Sequence, residues 1–182
     1  AVAAATGVPA GRVFSSSTGV IGEPLPHDRI VAVVDDLVRG LDEGGVADAA
    51  RAIMTTDTFP KGASATVATE GGEIRISGIA KGSGMIAPDM ATMLVYVFTD
   101  ARIAAPLLQH ALSSGLETSF NAITVDSDTS TSDALICAAT GRSAAAEITS
   151  LDSVDGIAFV KALHSVMREL AQLVVRDGEG AT

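Results

Sequence analysis

The chain has 182 residues, 47% of them hydrophobic and 3% aromatic, and its 12 basic and 22 acidic side chains give a net charge of −10. This composition suffices for one large core, while the negative charge and scarce aromatic residues argue against a nucleic-acid partner. No apolar run is long enough to span a bilayer and no secretory signal is visible, so we expect no membrane contact and a cytoplasmic location.

Metal and disulfide chemistry are not expected. A single cysteine, Cys137, has no partner, and the three histidines do not form a zinc pattern with it. The acidic stretch TVDSDTSTSD at 124–133 fails as an EF-hand, because Thr131 stands where glycine is needed and Cys137 where the glutamate is needed. We interpret this stretch as an acidic turn.

The first half of the chain predicts two helices followed by a hairpin. Residues 24–41 form an amphipathic pattern ending near Gly40, and a shorter helix is expected over 46–54. Alternating runs at 64–69 and 73–79 flank Glu70-Gly71-Gly72, which is typical of a β-hairpin.

The second half mixes buried strands with helices. Residues 93–100 are so continuously apolar that a strand buried on both faces is expected. A helix over 107–116, two more buried strands in 121–128 and 134–141, and a long helix over 156–178 follow. Because no regular βαβ order appears, we predict one layered α/β (α+β) domain over residues 1–182 instead of a doubly wound sheet.

Three loops rich in Gly, Ser or Thr are candidates for chemistry. The stretch SSSTGVIGEP at 15–24 offers amides and hydroxyls to a developing negative charge, or forms a plain turn. MTTDTFPK at 54–61 either caps a helix or holds a polar substrate. In IAKGSGMIAPDMAT at 79–92, Lys81 either binds a carboxylate or is a solvated surface residue.

Thr92 follows the third loop and opens the apolar run, so it is either an ordinary strand residue or a nucleophile. No histidine lies near it in the sequence to act as a base. Cleavage of the Ala91–Thr92 bond would supply one, because the freed α-amine, with a pKa of about 7.7–8.0, belongs to the residue that carries the hydroxyl.

The motifs together resemble the ornithine acetyltransferases, also called bifunctional glutamate N-acetyltransferases, of arginine biosynthesis. The matching segments occur in the family's order: STGVIG at 17–22, MTTDT at 54–58, GIAKGSGMIAPDMATML at 78–94, TVDSDTSTSD at 124–133 and RDGEGAT at 176–182. The resemblance implies a layered αββα sandwich and self-cleavage between Ala91 and Thr92. Residues 1–91 would then end an α chain and residues 92–182 would begin a β chain.

The resemblance also implies site residues. Thr92 would be the nucleophile, and Thr18 and Gly19 would form the oxyanion hole. The substrate-binding positions would be Thr58, Lys81 and Glu179, together with Thr92.

The implied reaction carries an acetyl group from N-acetylornithine to glutamate through an acetyl-threonine intermediate, without metal or organic cofactor. Acetyl-CoA is a further possible substrate, on which no motif decides. The implied assembly is a heterotetramer of two α and two β chains. Family members have more chain on both sides, so we expect a portion of a longer protein.

Two alternatives remain open from the sequence. One is a self-processing aminopeptidase that uses the same kind of nucleophile to hydrolyse peptides. The other is a non-catalytic binding or assembly domain that keeps the scaffold, against which the intact candidate residues argue.

Overall fold

A computed structural model describes residues 1–20, 22–86 and 93–180, so Ala91 and Thr92 lie outside the described residues. Within the described ranges, six α-helices and four strands form. They are α1 (Val2–Thr6), α2 (His27–Ala32), α3 (Val34–Arg39), α4 (Val46–Ala52), β1 (Lys61–Thr69), β2 (Gly72–Lys81), β3 (Leu94–Thr99), α5 (Ala105–Ser113), β4 (Ala134–Ala139) and α6 (Val154–Arg176). No helix in these ranges combines the length and apolar composition needed to cross a bilayer.

The four strands form one mixed sheet in the order β1-β2-β3-β4. The predicted hairpin is confirmed: Thr69 pairs with Gly72 across a two-residue turn, and β2 then pairs antiparallel with β3. Strand β4 is parallel to β3, and the connection between them contains α5. The mixed α/β class is therefore confirmed, while the αββα sandwich stays a prediction.

The main core lies between one face of the sheet and α6. The predicted long helix is confirmed, and the Ser153 hydroxyl caps it by accepting a hydrogen bond from the Gly156 amide at 3.1 Å. Ile74 and Ile76 on β2 and Leu170 on α6 are fully buried. Gly78 permits this close packing, since a Cβ atom there would lie 2.8 Å from Leu170 Cδ1.

The opposite face of the sheet is more open than the sequence suggests. Phe98 on β3 is 44% exposed, so the prediction that this strand is buried on both faces is wrong. The predicted strand within 134–141 is confirmed as β4, but it lies at the sheet edge and most of its residues are only half-buried.

Two other expectations need correction. Residues 24–41 form two short helices, α2 and α3, and the predicted apolar face buries Val34 while Ile30 and Leu37 stay 47% and 61% exposed. Residues 121–128 contain no strand. There the Thr124 hydroxyl and the Asp126 carboxylate bind the backbone of residues 85–86, and such side-chain bonds compete with sheet pairing.

Gly156 offers a test of how α6 is seated. A Cβ atom there would lie 2.2 Å from the Ser150 carbonyl oxygen, so the backbone must move to admit a methyl group. We expect Gly156→Ala to lower the free energy of unfolding by about 2–3 kcal/mol. Gly45→Ala is the control, because a Cβ atom at Gly45 meets no atom within 4 Å. Equal stability of both variants in chemical denaturation would contradict this seating.

Candidate active site

Four of the predicted site residues line one cleft of about 620 Å³: Thr18, Gly19, Lys81 and Glu179. They belong to three separate motifs. Thr18 and Glu179, the two that are farthest apart, are 161 positions apart in the sequence. Three other clefts of similar volume contain none of the predicted site residues. This convergence makes the cleft the candidate active site.

Thr18 and Gly19 lie on a segment without regular secondary structure. A 2.5 Å hydrogen bond between the Ser16 and Tyr96 hydroxyls ties this segment to β3. Because Val95 and Val97 face the core, Tyr96 between them points to the opposite face. The segment thereby brings an exposed glycine backbone and a threonine side chain to one wall of the cleft.

Lys81 ends β2 and is only 2% exposed. Its ammonium donates a 2.8 Å hydrogen bond to the Thr55 hydroxyl and lies 3.8 Å from the Asp57 carboxylate. Burial lowers the pKa of Lys81 below its usual range, and the Asp57 charge opposes that shift. A buried ammonium with three hydrogen-bond donors is better suited to bind a carboxylate ligand than the ammonium of a solvated lysine is.

The threonines of the MTTDT segment do not all point the same way. Thr55 and Thr56 line the cleft, and Thr56 shares a 2.6 Å hydrogen bond with Ser83. Thr58, the residue predicted to bind substrate, is not among the cleft-lining residues, because its amide and hydroxyl both donate to Asp177. The geometry therefore brings Thr55 to the site, and the sequence offered no signal to choose between these threonines.

Glu179 reaches the cleft just beyond the end of α6. Its amide donates a 2.7 Å hydrogen bond to the Ser83 carbonyl. A Cβ atom at Gly84 would lie 3.0 Å from the Glu179 carboxylate, so Glu179 packs closely against the Gly84 backbone. Lys81 and Glu179 thus give one cleft both a cationic and an anionic group.

The segment predicted as an acidic turn holds the backbone on both sides of residues 87–92. The Asp126 carboxylate accepts hydrogen bonds from the amides of Met85 and Ile86, and these bonds keep the pKa of Asp126 low. Met85 has a left-handed φ of 55°, which is a strained conformation for a residue with a side chain. Sequence reasoning missed this role, because the two segments lie about 40 positions apart.

On the other side, Asp133 accepts a 2.6 Å hydrogen bond from the amide of Met93, the residue that follows Thr92. Its second oxygen, Oδ2, is buried and has no hydrogen-bond partner among the described residues. Burial raises the pKa of Asp133 to about 6, although the Met93 amide and the Lys81 charge pull it down. The described residues on either side of the predicted junction, Ile86 and Met93, are themselves buried.

Comparisons with known proteins agree with the motifs. The ArgJ family model matches residues 1–182. A Ruegeria pomeroyi protein named arginine biosynthesis bifunctional protein ArgJ is 62% identical over 100% of this chain and 43% of its own length. Proteins of the same name from Gluconobacter oxydans and Methylococcus capsulatus are 58% and 53% identical, over 93% and 100% of this chain and 40% and 44% of theirs. The chain thus spans less than half the length of these relatives, and the resemblance to an arginine-biosynthesis family is confirmed.

Asp133 predicts a pH dependence of stability. Its pKa of about 6 in the folded chain exceeds the ordinary 3.8, so between these values the folded state binds more protons than the unfolded state. The stabilisation from this group is therefore present at low pH and is lost as the pH rises towards and past 6. We expect the stability of the wild type relative to Asp133→Asn to fall between pH 5 and pH 7.5 in denaturation experiments.

The control for this measurement is Asp35→Asn, which removes one exposed carboxylate from α3. A stability difference between wild type and Asp133→Asn that stays constant from pH 5 to pH 7.5 would contradict the burial of Asp133.

Proposed function

We propose that this chain, which belongs to the ArgJ family, is part of an enzyme that transfers an acetyl group from N-acetylornithine to glutamate. The observation that carries the proposal is the single cleft in which Thr18, Gly19, Lys81 and Glu179 meet. The arginine-biosynthesis names of the relatives support the same pathway.

The proposed nucleophile is Thr92, freed by cleavage of the Ala91–Thr92 bond. In the first half-reaction its hydroxyl oxygen attacks the acetyl carbon, and its own α-amine takes the hydroxyl proton. The carbon–nitrogen bond of N-acetylornithine then breaks, the proton goes to the departing nitrogen, and an acetyl ester remains on Thr92. In the second half-reaction the glutamate amine attacks the acetyl carbon of this ester, the ester carbon–oxygen bond breaks, the proton lost by the amine goes to the threonine oxygen, and N-acetylglutamate leaves.

The cleft suits amino-acid substrates because it carries both signs of charge. Lys81 would bind the substrate carboxylate, with Thr55 holding the ammonium in place at 2.8 Å. Glu179 would attract a substrate amine, and its carboxylate lines the same cleft. The Thr18 hydroxyl and the Gly19 amide would stabilise the negative oxygen of each tetrahedral intermediate.

Strain beside the junction supports self-cleavage. Met85 is held at a left-handed φ by the two amide bonds to Asp126, and Asp133 fixes the Met93 amide on the far side.

The remaining family features belong to this proposal as well. The open sheet face that carries Phe98 supports a second sheet supplied by another part of the polypeptide, as in an αββα sandwich. We extend the proposal to an α₂β₂ heterotetramer and to a reaction without metal or organic cofactor, with acetyl-CoA as a possible second acetyl donor.

The test of the reaction is formation of N-acetylglutamate by the full-length polypeptide supplied with N-acetylornithine and glutamate. We expect Thr92→Ala to lower the rate at least about 1,000-fold, as loss of a nucleophile does. Thr66→Ala, an exposed threonine on β1, is the control. Peptide hydrolysis without acetyl transfer would favour the aminopeptidase instead, and a folded protein with neither activity would indicate a binding domain.

Lys81 gives a separate prediction about substrate binding. Lys81→Met should raise KM for N-acetylornithine about 10- to 100-fold, because one charge-assisted hydrogen bond to the carboxylate is lost. The matched control is Lys161→Met, which removes an exposed lysine from α6. Steady-state kinetics test this prediction, and an unchanged KM would show that Lys81 does not bind the substrate.

A further inference from the structure

A buried charge cluster lies directly behind the cleft. We call Asp57, Lys61 and Asp177 the Lys61 cluster. The Lys61 ammonium donates hydrogen bonds to Asp57 at 2.7 Å and to Asp177 at 2.5 Å, and its side chain is completely buried. The Phe59 ring centroid lies 4.9 Å from the same nitrogen.

Each carboxylate of the cluster holds a different wall of the cleft. Asp57 accepts hydrogen bonds from the amide of Gly82, the neighbour of Lys81, at 2.7 Å and from the amide of Thr55, the hydrogen-bond partner of Lys81, at 3.1 Å. Asp177 lies two positions before Glu179 and accepts the Thr58 amide at 3.0 Å. Lys61 is therefore the point at which the two walls are joined.

The cluster also determines what Lys81 can bind. Burial alone would raise the pKa of Asp57, but the hydrogen bond from Lys61 and the two amides keep it below its usual range, so the carboxylate is charged. Lys81 lies 3.8 Å from Asp57, beyond hydrogen-bond distance, and donates to Thr55 instead. With Lys61 bonded to Asp57, the Lys81 ammonium is left for a ligand.

We propose that Lys61 is a positioning residue, which by pairing with both Asp57 and Asp177 keeps Lys81 directed into the cleft and Glu179 fixed across from it. Without Lys61, the Asp57 carboxylate would attract the nearest cation, Lys81, and withdraw it from the substrate carboxylate. The proposal rests on the proposed function, in which Lys81 binds substrate.

The test compares Lys61→Met with the double variant Lys61→Met/Asp57→Asn in the full-length polypeptide. We expect Lys61→Met to raise KM for N-acetylornithine about tenfold or more while kcat changes much less. Adding Asp57→Asn should bring KM back towards the wild-type value, because the anion that withdraws Lys81 is gone. A purely structural role predicts the opposite, since a second change in the buried cluster would add damage.

Lys161→Met is the control for removing one exposed positive charge. An unchanged KM in folded Lys61→Met, or a KM that rises further in the double variant, would overturn the proposal. Acetyl transfer by the wild type tests the proposed function independently. Failure of the proposed function is therefore distinguished from failure of the proposal for Lys61.

If Lys61→Met does not fold, the single variant Asp57→Asn tests the proposal. The charged groups acting on Lys81 are Asp57, Lys61 and Asp133, and removal of the Asp57 charge leaves Lys61 to repel the Lys81 ammonium. The loss of substrate affinity at alkaline pH should then begin at lower pH than in the wild type. An unshifted pH profile of KM would overturn the proposal.

Discussion

The ion pairs of Lys61 with Asp57 and Asp177 are the interaction on which the cleft depends. One ammonium with no exposure to water, at the start of β1, joins Asp57 to Asp177, and Asp177 lies directly after α6 and 116 positions from Lys61. Removal of one partner from a buried pair leaves an uncompensated charge and is strongly destabilising. Lys81 and Glu179 lie beside these two carboxylates, so the positions of the proposed substrate-binding groups follow from the cluster.

A second constraint acts on the chain around residues 87–92. Asp126 holds the amides of Met85 and Ile86, and Asp133 holds the amide of Met93, so two carboxylates of one segment fix both flanks. Ile86 and Met93, the nearest described residues on the two sides of the proposed junction, are both buried. This arrangement gives the acidic segment a structural role beside the proposed junction.

Much of the fold was predictable because its signals are local. The turn at Glu70 and Gly71 and the apolar periodicity of α6 are readable within 20 or so residues, and both elements form where expected. The strand expected in 121–128 fails because the hydrogen-bond partners of Thr124 and Asp126 lie about 40 positions away. The exposure of Phe98 was not predicted for a similar reason, since the sequence does not show what covers each face of the sheet.

The site was predictable only where a motif marked it. Thr18, Gly19, Lys81 and Glu179 were found through the family resemblance, and the cleft brings them together. Thr55 lines the cleft and Thr58 does not, because Thr55 is bonded to Lys81 and Thr58 to Asp177, and no local pattern in the sequence shows these bonds. The most direct measurement of the central claim is the intact mass of the full-length polypeptide, with and without N-acetylornithine, beside Thr92→Ala. The account predicts two fragments divided between Ala91 and Thr92, with one acetyl group transiently on the fragment that begins at Thr92. A single uncleaved and unmodified chain from folded wild-type protein would contradict it.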